Sequence, residues 1–110
     1  MDVFDSAIRA KGDIAGIFEY DGARDPQNAP AYFYLYRADG KEPDSIIDVL
    51  HIRSGAWPIT KADIAVKGDK SERRVGLFVF GKLAAAFDTE TGKKHDGGYG
   101  RDFQADIPWD

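Results

Sequence analysis

Apolar and polar positions alternate with a period of two along much of this chain, and that alternation predicts β-strands. The clearest stretch runs from Ile64 to Gly92, IAVKGDKSERRVGLFVFGKLAAAFDTETG. It reads as three strands and two turns. Ile64 and Val66 begin the first strand, the charged loop GDKSERR follows, and the second strand starts at Arg74-Val75. Gly81-Lys82 is a two-residue loop of the Gly-X kind, in which glycine supplies the positive φ of a type II′ hairpin. That register sets Phe80 opposite Leu83, Val79 opposite Ala84, Phe78 opposite Ala85, Leu77 opposite Ala86 and Gly76 opposite Phe87. Phe78, Phe80, Leu83, Ala85 and Phe87 then share one face, and Val75, Leu77, Val79, Ala84 and Ala86 share the other. Both faces are apolar, so the hairpin is expected to be central and covered on both sides, the alternative being a face that waits for a partner. LAAAF has helix-forming composition, but it is too short for an independent helix. Asp88 and Gly92 stand in turn positions that end the third strand.

The rest of the chain is less regular. Val3, Phe4, Ala7 and Ile8 fall at one-face helical spacing before Gly12, which predicts a short N-terminal helix over 2–11. Ile14 to Tyr20 is a strand with Ile14, Gly16, Phe18 and Tyr20 on one side. Residues 21–30, containing Asp21-Gly22, Pro26 and Pro30, read as a long loop. Ala31 to Ala38, AYFYLYRA, is the strongest single strand. Phe33 and Leu35 suit a core, and Tyr32, Tyr34 and Tyr36 form a stripe on the opposite face. For Ser45 to Arg53 a helix capped by Ser45 competes with a strand, and the β-branched Ile46, Ile47, Val49 and Ile52 favour the strand. Trp57-Pro58 breaks the chain. After Gly92 the glycines at 97, 98 and 100 make a tail that Phe103, Ile107 and Trp109 could dock.

The chain has 110 residues, enough for a single small domain over 1–110. The fold class is therefore expected to be mainly β, with α+β as the variant: an antiparallel meander sheet of about five to seven strands plus one short N-terminal helix. Cysteine is absent, which excludes disulfides and thiolate sites. Acidic residues stand where an export signal needs basic ones, and no apolar run is long enough to cross a membrane as a helix, so a cytoplasmic protein is expected. The net charge is −4. It is uneven: residues 1–66 hold seven basic and eleven acidic residues, and 67–101 hold eight basic and five acidic. The basic excess is too small to mark a nucleic-acid binder.

Chemistry is hard to place. The two histidines, His51 and His95, show no metal-ligand spacing. There is no G-x-S-x-G elbow, no P-loop and no G-x-G-x-x-G after a strand. Asp88, Glu90 and Asp96 do not fit a calcium loop. No catalytic, cofactor or metal residue is assigned. The tyrosine stripe remains: tyrosine offers a large rigid contact area at little entropic cost, with a hydroxyl for hydrogen bonds. Asp44 and Asp48, with Asp39 and Glu42, supply acidic neighbours suited to a basic partner. The candidate partner-binding residues are thus Tyr32, Tyr34, Tyr36, Asp44 and Asp48.

The stretch ADIAVKGDKSERRVGLFVFGKLAAAFDTETGK resembles one β-propeller blade, except at Gly68, where a blade usually places an aromatic residue. Together with GIFEYDG, AYFYLYRADG and IIDVLHIR, the order over residues 14–93 resembles small bacterial β-rich domains, some of them immunity proteins of toxin systems. The resemblance implies a non-catalytic module that binds a protein partner, and a toxin held by occlusion is one such case. Two other readings stand beside it: a small-molecule binder or small enzyme with its site under the 21–30 loop, and a self-associating protein that pairs the Val75, Leu77 and Val79 face.

Overall fold

The computed structural model describes residues 2–21, 27, 29–38, 46–55 and 57–96. Eight strands form two four-stranded antiparallel sheets. The first sheet contains β1 (Asp2–Ile8), β2 (Ile14–Asp21), β3 (Pro30–Arg37) and β4 (Ile46–Ser54), in that spatial order. The second contains β5 (Ile64–Gly68), β6 (Arg74–Val79), β7 (Lys82–Asp88) and β8 (Lys94–Asp96), again in chain order. A 3₁₀ turn, Lys61–Asp63, leads into β5. The mainly-β antiparallel class is as expected, but the single sheet of five to seven strands is replaced by two meanders packed face to face.

The N-terminal helix is also corrected. Residues 2–8 pair along their whole length with β2, from Asp2 opposite Asp21 to Ile8 opposite Ala15. Val3 and Ala7 face the core while Phe4 and Ile8 face outward. The spacing that suggested a helical face is also compatible with a strand, and the exposed edge of β2 decides between them by offering a full ladder of backbone partners. The Arg9–Asp13 ion pair, 2.7 Å, closes the connecting turn. For the expected strand Ser45 to Arg53, the reading holds from Ile46 on, with β4 paired to β3, and Ser45 lies outside the described residues. Pro30, assigned to the loop, is the first residue of β3, where a missing N–H is tolerated. His95, assigned to the tail, lies on β8 opposite Ala86.

The β6–β7 hairpin turns one residue earlier than its glycine suggested. Val79 pairs with Lys82, so Phe80 and Gly81 form the loop. Both have positive φ, 52° and 78°, which is the type I′ pattern rather than II′. A bulge between Leu77 and Phe78 then sets Leu77 opposite Ala85 and Val75 opposite Phe87. A one-residue slip exchanges the faces of a strand. Phe87 and Ala85 therefore join Val75, Leu77 and Val79 in the core, while Phe78, Leu83 and Ala86 cluster on the other side. Phe80 is left 60% exposed at the turn tip.

The core lies between the sheets. Phe18 and Phe33 of the first meet Leu77 and Phe87 of the second, all with almost no exposure, and the Phe33 and Phe87 ring centres are 5.1 Å apart. Gly16 marks the closest approach of the sheets. A Cβ there would lie 2.5 Å from Val75 Cγ2 and 3.2 Å from Val66 Cγ1. The crossing from β4 to β5 is tied down by Tyr20. Its buried hydroxyl donates to the Gly55 carbonyl at 2.8 Å and accepts the Trp57 N–H at 2.9 Å. Trp57 in turn sets its ring edge-on to Phe18 and Tyr20, and the Arg53 guanidinium lies 5.1 Å from the ring centre. At the edge of the second sheet, Asp5 Oδ2 accepts the Val66 N–H at 2.8 Å, which blunts an otherwise open strand.

Candidate protein-binding face

Strand alternation leaves the first sheet with one face on the core and one on solvent. Register aligns the outward residues in rows across all four strands. Phe4, Glu19, Tyr32 and His51 form one row; Ser6, Ile17, Tyr34 and Val49 form the next; Ile8, Ala15, Tyr36 and Ile46 form the third. A solvated antiparallel face normally carries polar side chains. Here apolar and aromatic side chains predominate. Phe4 is 50% exposed, Ile8 58% and Val49 41%, with Ile46 and Ile47 similarly open.

The tyrosine stripe forms as expected and is ordered by ring contacts. Tyr32 stacks on Tyr34 with centres 5.9 Å apart, and on His51 at 5.0 Å. His51 Nε2 and Ser54 Oγ are 2.8 Å apart. Burial raises the Tyr34 phenol above its ordinary pKa, and the nearby Glu19 carboxylate and Tyr32 add to the effect. Glu19 itself is exposed and makes no ion pair or hydrogen bond with any described residue.

Of the acidic pair in the sequence-derived site, Asp48 separates from the tyrosines. Asp48 pairs in register with Leu35, a core residue, and so occupies the opposite face from Tyr34. Its carboxylate binds Lys94 Nζ at 3.0 Å, joining the two sheets at their edge. Asp44 lies outside the described residues. The acidic residue that stands beside the stripe is instead Glu19. The sequence signal for it was available, since Glu19 follows Ile17 on the outward side of β2. The neighbours Phe4 and Ile8 were concealed by the helical reading of residues 2–11. Val49 and His51 emerge only once β4 is registered against β3.

Other clusters serve the fold. Asp69, with a fully buried side chain, accepts the N–H groups of Arg73 and Arg74, the Ser71 hydroxyl and the Arg74 guanidinium at 2.9 Å. Burial alone would raise its pKa, but these donors outweigh it and hold the carboxyl below the ordinary range. Asp88 organises the β7–β8 turn in the same way, taking the N–H groups of Glu90 and Thr91 and the Arg73 guanidinium. The bond from Arg73 is the chief reason its pKa falls to about 2, with the turn N–H groups assisting against burial. A cavity of about 50 Å³ lies at this end, lined by residues that include Ala7, Arg9, Glu72, Arg74 and Thr89. It has room for a few waters and is far smaller than a substrate pocket. Its guanidiniums are already paired, Arg9 with Asp13 and Arg74 with Asp69. Among the described residues no group of three or more His, Asp and Glu could hold a metal ion, and no helix is long and apolar enough to cross a membrane. The chain matches no family model, no curated protein and no solved structure.

Proposed function

We propose that this protein is a non-catalytic binding module that meets a protein partner through the outer face of its first sheet. The observation that carries the reading is the exposure of Phe4, Ile8 and Val49 around three aligned tyrosines, on a face where polar residues would be the ordinary choice. Contiguous exposed apolar surface of this kind marks interaction sites. Tyrosine and phenylalanine supply contact area, and the stacked rings of Tyr32, Tyr34 and His51 are held in place before a partner arrives. Occlusion of a toxin, as immunity proteins perform it, is a specialised form of the same reading.

The face proposed for self-association has a different use. Val75 and Leu77 are buried in the intersheet core and Val79 is partly buried against it, which speaks for the outer face of the first sheet instead.

The test is affinity capture of a partner from native lysate by the tagged chain, with Tyr34→Ala and Val49→Asp as controls whose folding is checked by circular dichroism. A stoichiometric protein retained by the native chain and lost with both variants supports the proposal, and a captured toxin would support the occlusion form. A partner held equally well by all three proteins would remove this face from the reading.

A further inference from the structure

We propose that Glu19 is the receptor for an arginine side chain of the partner protein, seated between Phe4 and Tyr32 on the outer face of the first sheet. This rests on the reading of that face as a protein-binding surface and adds the chemistry of what it binds.

The argument is one of charge complementarity. Among the described residues, no lysine or arginine occupies an outward register position on β1 to β4. Glu19 stands on this face as an exposed carboxylate without a partner among the described residues, flanked in register by Phe4 and Tyr32 and preceded two residues earlier on the same side by Ile17. Asp21 lies on the same side at the end of β2, opposite Asp2, whereas five other carboxylates are engaged: Asp5 by Val66, Asp13 by Arg9, Asp48 by Lys94, Asp69 by Arg74 and Asp88 by Arg73. A partner that covers the apolar face must also cover Glu19. Burying an unpaired carboxylate costs several kcal/mol, so a partner that brings no counter-charge is selected against.

Arginine meets the geometry better than lysine. Its planar guanidinium donates two parallel hydrogen bonds to one carboxylate, is weakly hydrated, and sits readily against aromatic rings. Its aliphatic stem can lie along Phe4 and Ile17 while the head reaches Glu19. The tyrosine hydroxyls provide further acceptors beside it. A second copy of this chain fits poorly. A two-fold pairing of this face with itself would place two Glu19 carboxylates in one interface, and no described lysine or arginine stands on the face to meet either.

The experiment titrates the ¹⁵N-labelled full chain with two capped strand peptides of alternating valine and threonine. One carries a central arginine and the other a central citrulline, which has the same shape without the charge. The arginine peptide is expected to shift the amides of Ile17, Glu19, Tyr32, Tyr34 and Val49. The citrulline peptide is expected to bind about ten-fold more weakly, the loss that one charge-assisted pair accounts for. Glu19→Gln should bring the two peptides to equal affinity. Equal binding of both peptides by the native chain, abolished by Val49→Asp, would overturn the arginine assignment and leave the face itself as a binding surface. Absence of arginine-peptide shifts on this face would also overturn it, as would a concentration-dependent dimer that shifts the same amides.

Discussion

In the second sheet, Asp69 and Asp88 sit beneath hairpin loops, buried, and each accepts several N–H groups together with an arginine. In the first sheet, Glu19 stands on an open apolar face with no partner among the described residues. The two regions differ in what their charges do. A buried carboxylate that satisfies four donors is part of the fold, because removing it strands every donor it served. An exposed unpaired carboxylate contributes almost nothing to the fold and is available for recognition. The same division separates the apolar residues. Those of the second sheet, Val75, Leu77 and Phe87, are consumed by the core, whereas Phe4, Ile8 and Val49 of the first remain open.

The largest test of this division is Asp69→Ala. It leaves Arg74 without its buried counter-charge and the Asp69–Arg73 turn without its acceptor, and should cost about 3 kcal/mol in denaturant unfolding. A loss under about 1 kcal/mol would show that the loop is held by other means. Gly16→Ala comes next. Its methyl group would collide with Val75 Cγ2, at a cost of about 2 kcal/mol. Combining it with Val75→Ala should cost less than the sum of the single variants, because the second substitution vacates the contested space; simple additivity would contradict the close approach. Tyr20→Phe strands the Gly55 carbonyl and the Trp57 N–H, and should cost about 1–2 kcal/mol in the same measurement.

The pH dependence sharpens the comparison further. Asp88 titrates at about 2 when folded, against 3.8 for an ordinary aspartate. The folded chain therefore binds this proton more weakly than the unfolded chain does. The contribution of Asp88 to stability is complete above about pH 4, declines as the pH falls towards 2, and is absent below that. Asp13, held to about 2 chiefly by its bond from Arg9, acts in the same window. Unfolding midpoints should fall between pH 4 and 2, and less steeply in Asp88→Asn; an equal slope in that variant would exclude the Asp88–Arg73 pair as a source. Glu19→Gln should produce the smallest change, within about 0.5 kcal/mol of the native stability, while altering the preference for arginine. A large loss of stability from Glu19→Gln would place this residue with Asp69 and erase the distinction.

Period-two alternation, turn residues and β-branched composition were enough to determine the antiparallel mainly-β class, and the strands Ile14–Tyr20, Ala31–Ala38 and Ile64–Val66. They also placed the three tyrosines on one face, because alternation within a strand is a local property of the backbone. What local pattern leaves open is pairing. Residues 2–8 satisfy helix and strand spacing equally, and only the unpaired edge of β2 makes them a strand. Gly81 announces a turn, but the bulge at Leu77 and the packing of Phe87 against Phe33 decide which faces turn inward. The 64–92 meander was legible as a unit, yet the division of the eight strands into two sheets follows from the crossing between β4 and β5, which Tyr20 anchors at Gly55 and Trp57 from a distant strand. The binding face shares this dependence: its tyrosines were written in one strand, while Phe4, Glu19 and Val49 reach them only through registers that tertiary packing selects, since one slipped residue would have sent each of them to the core.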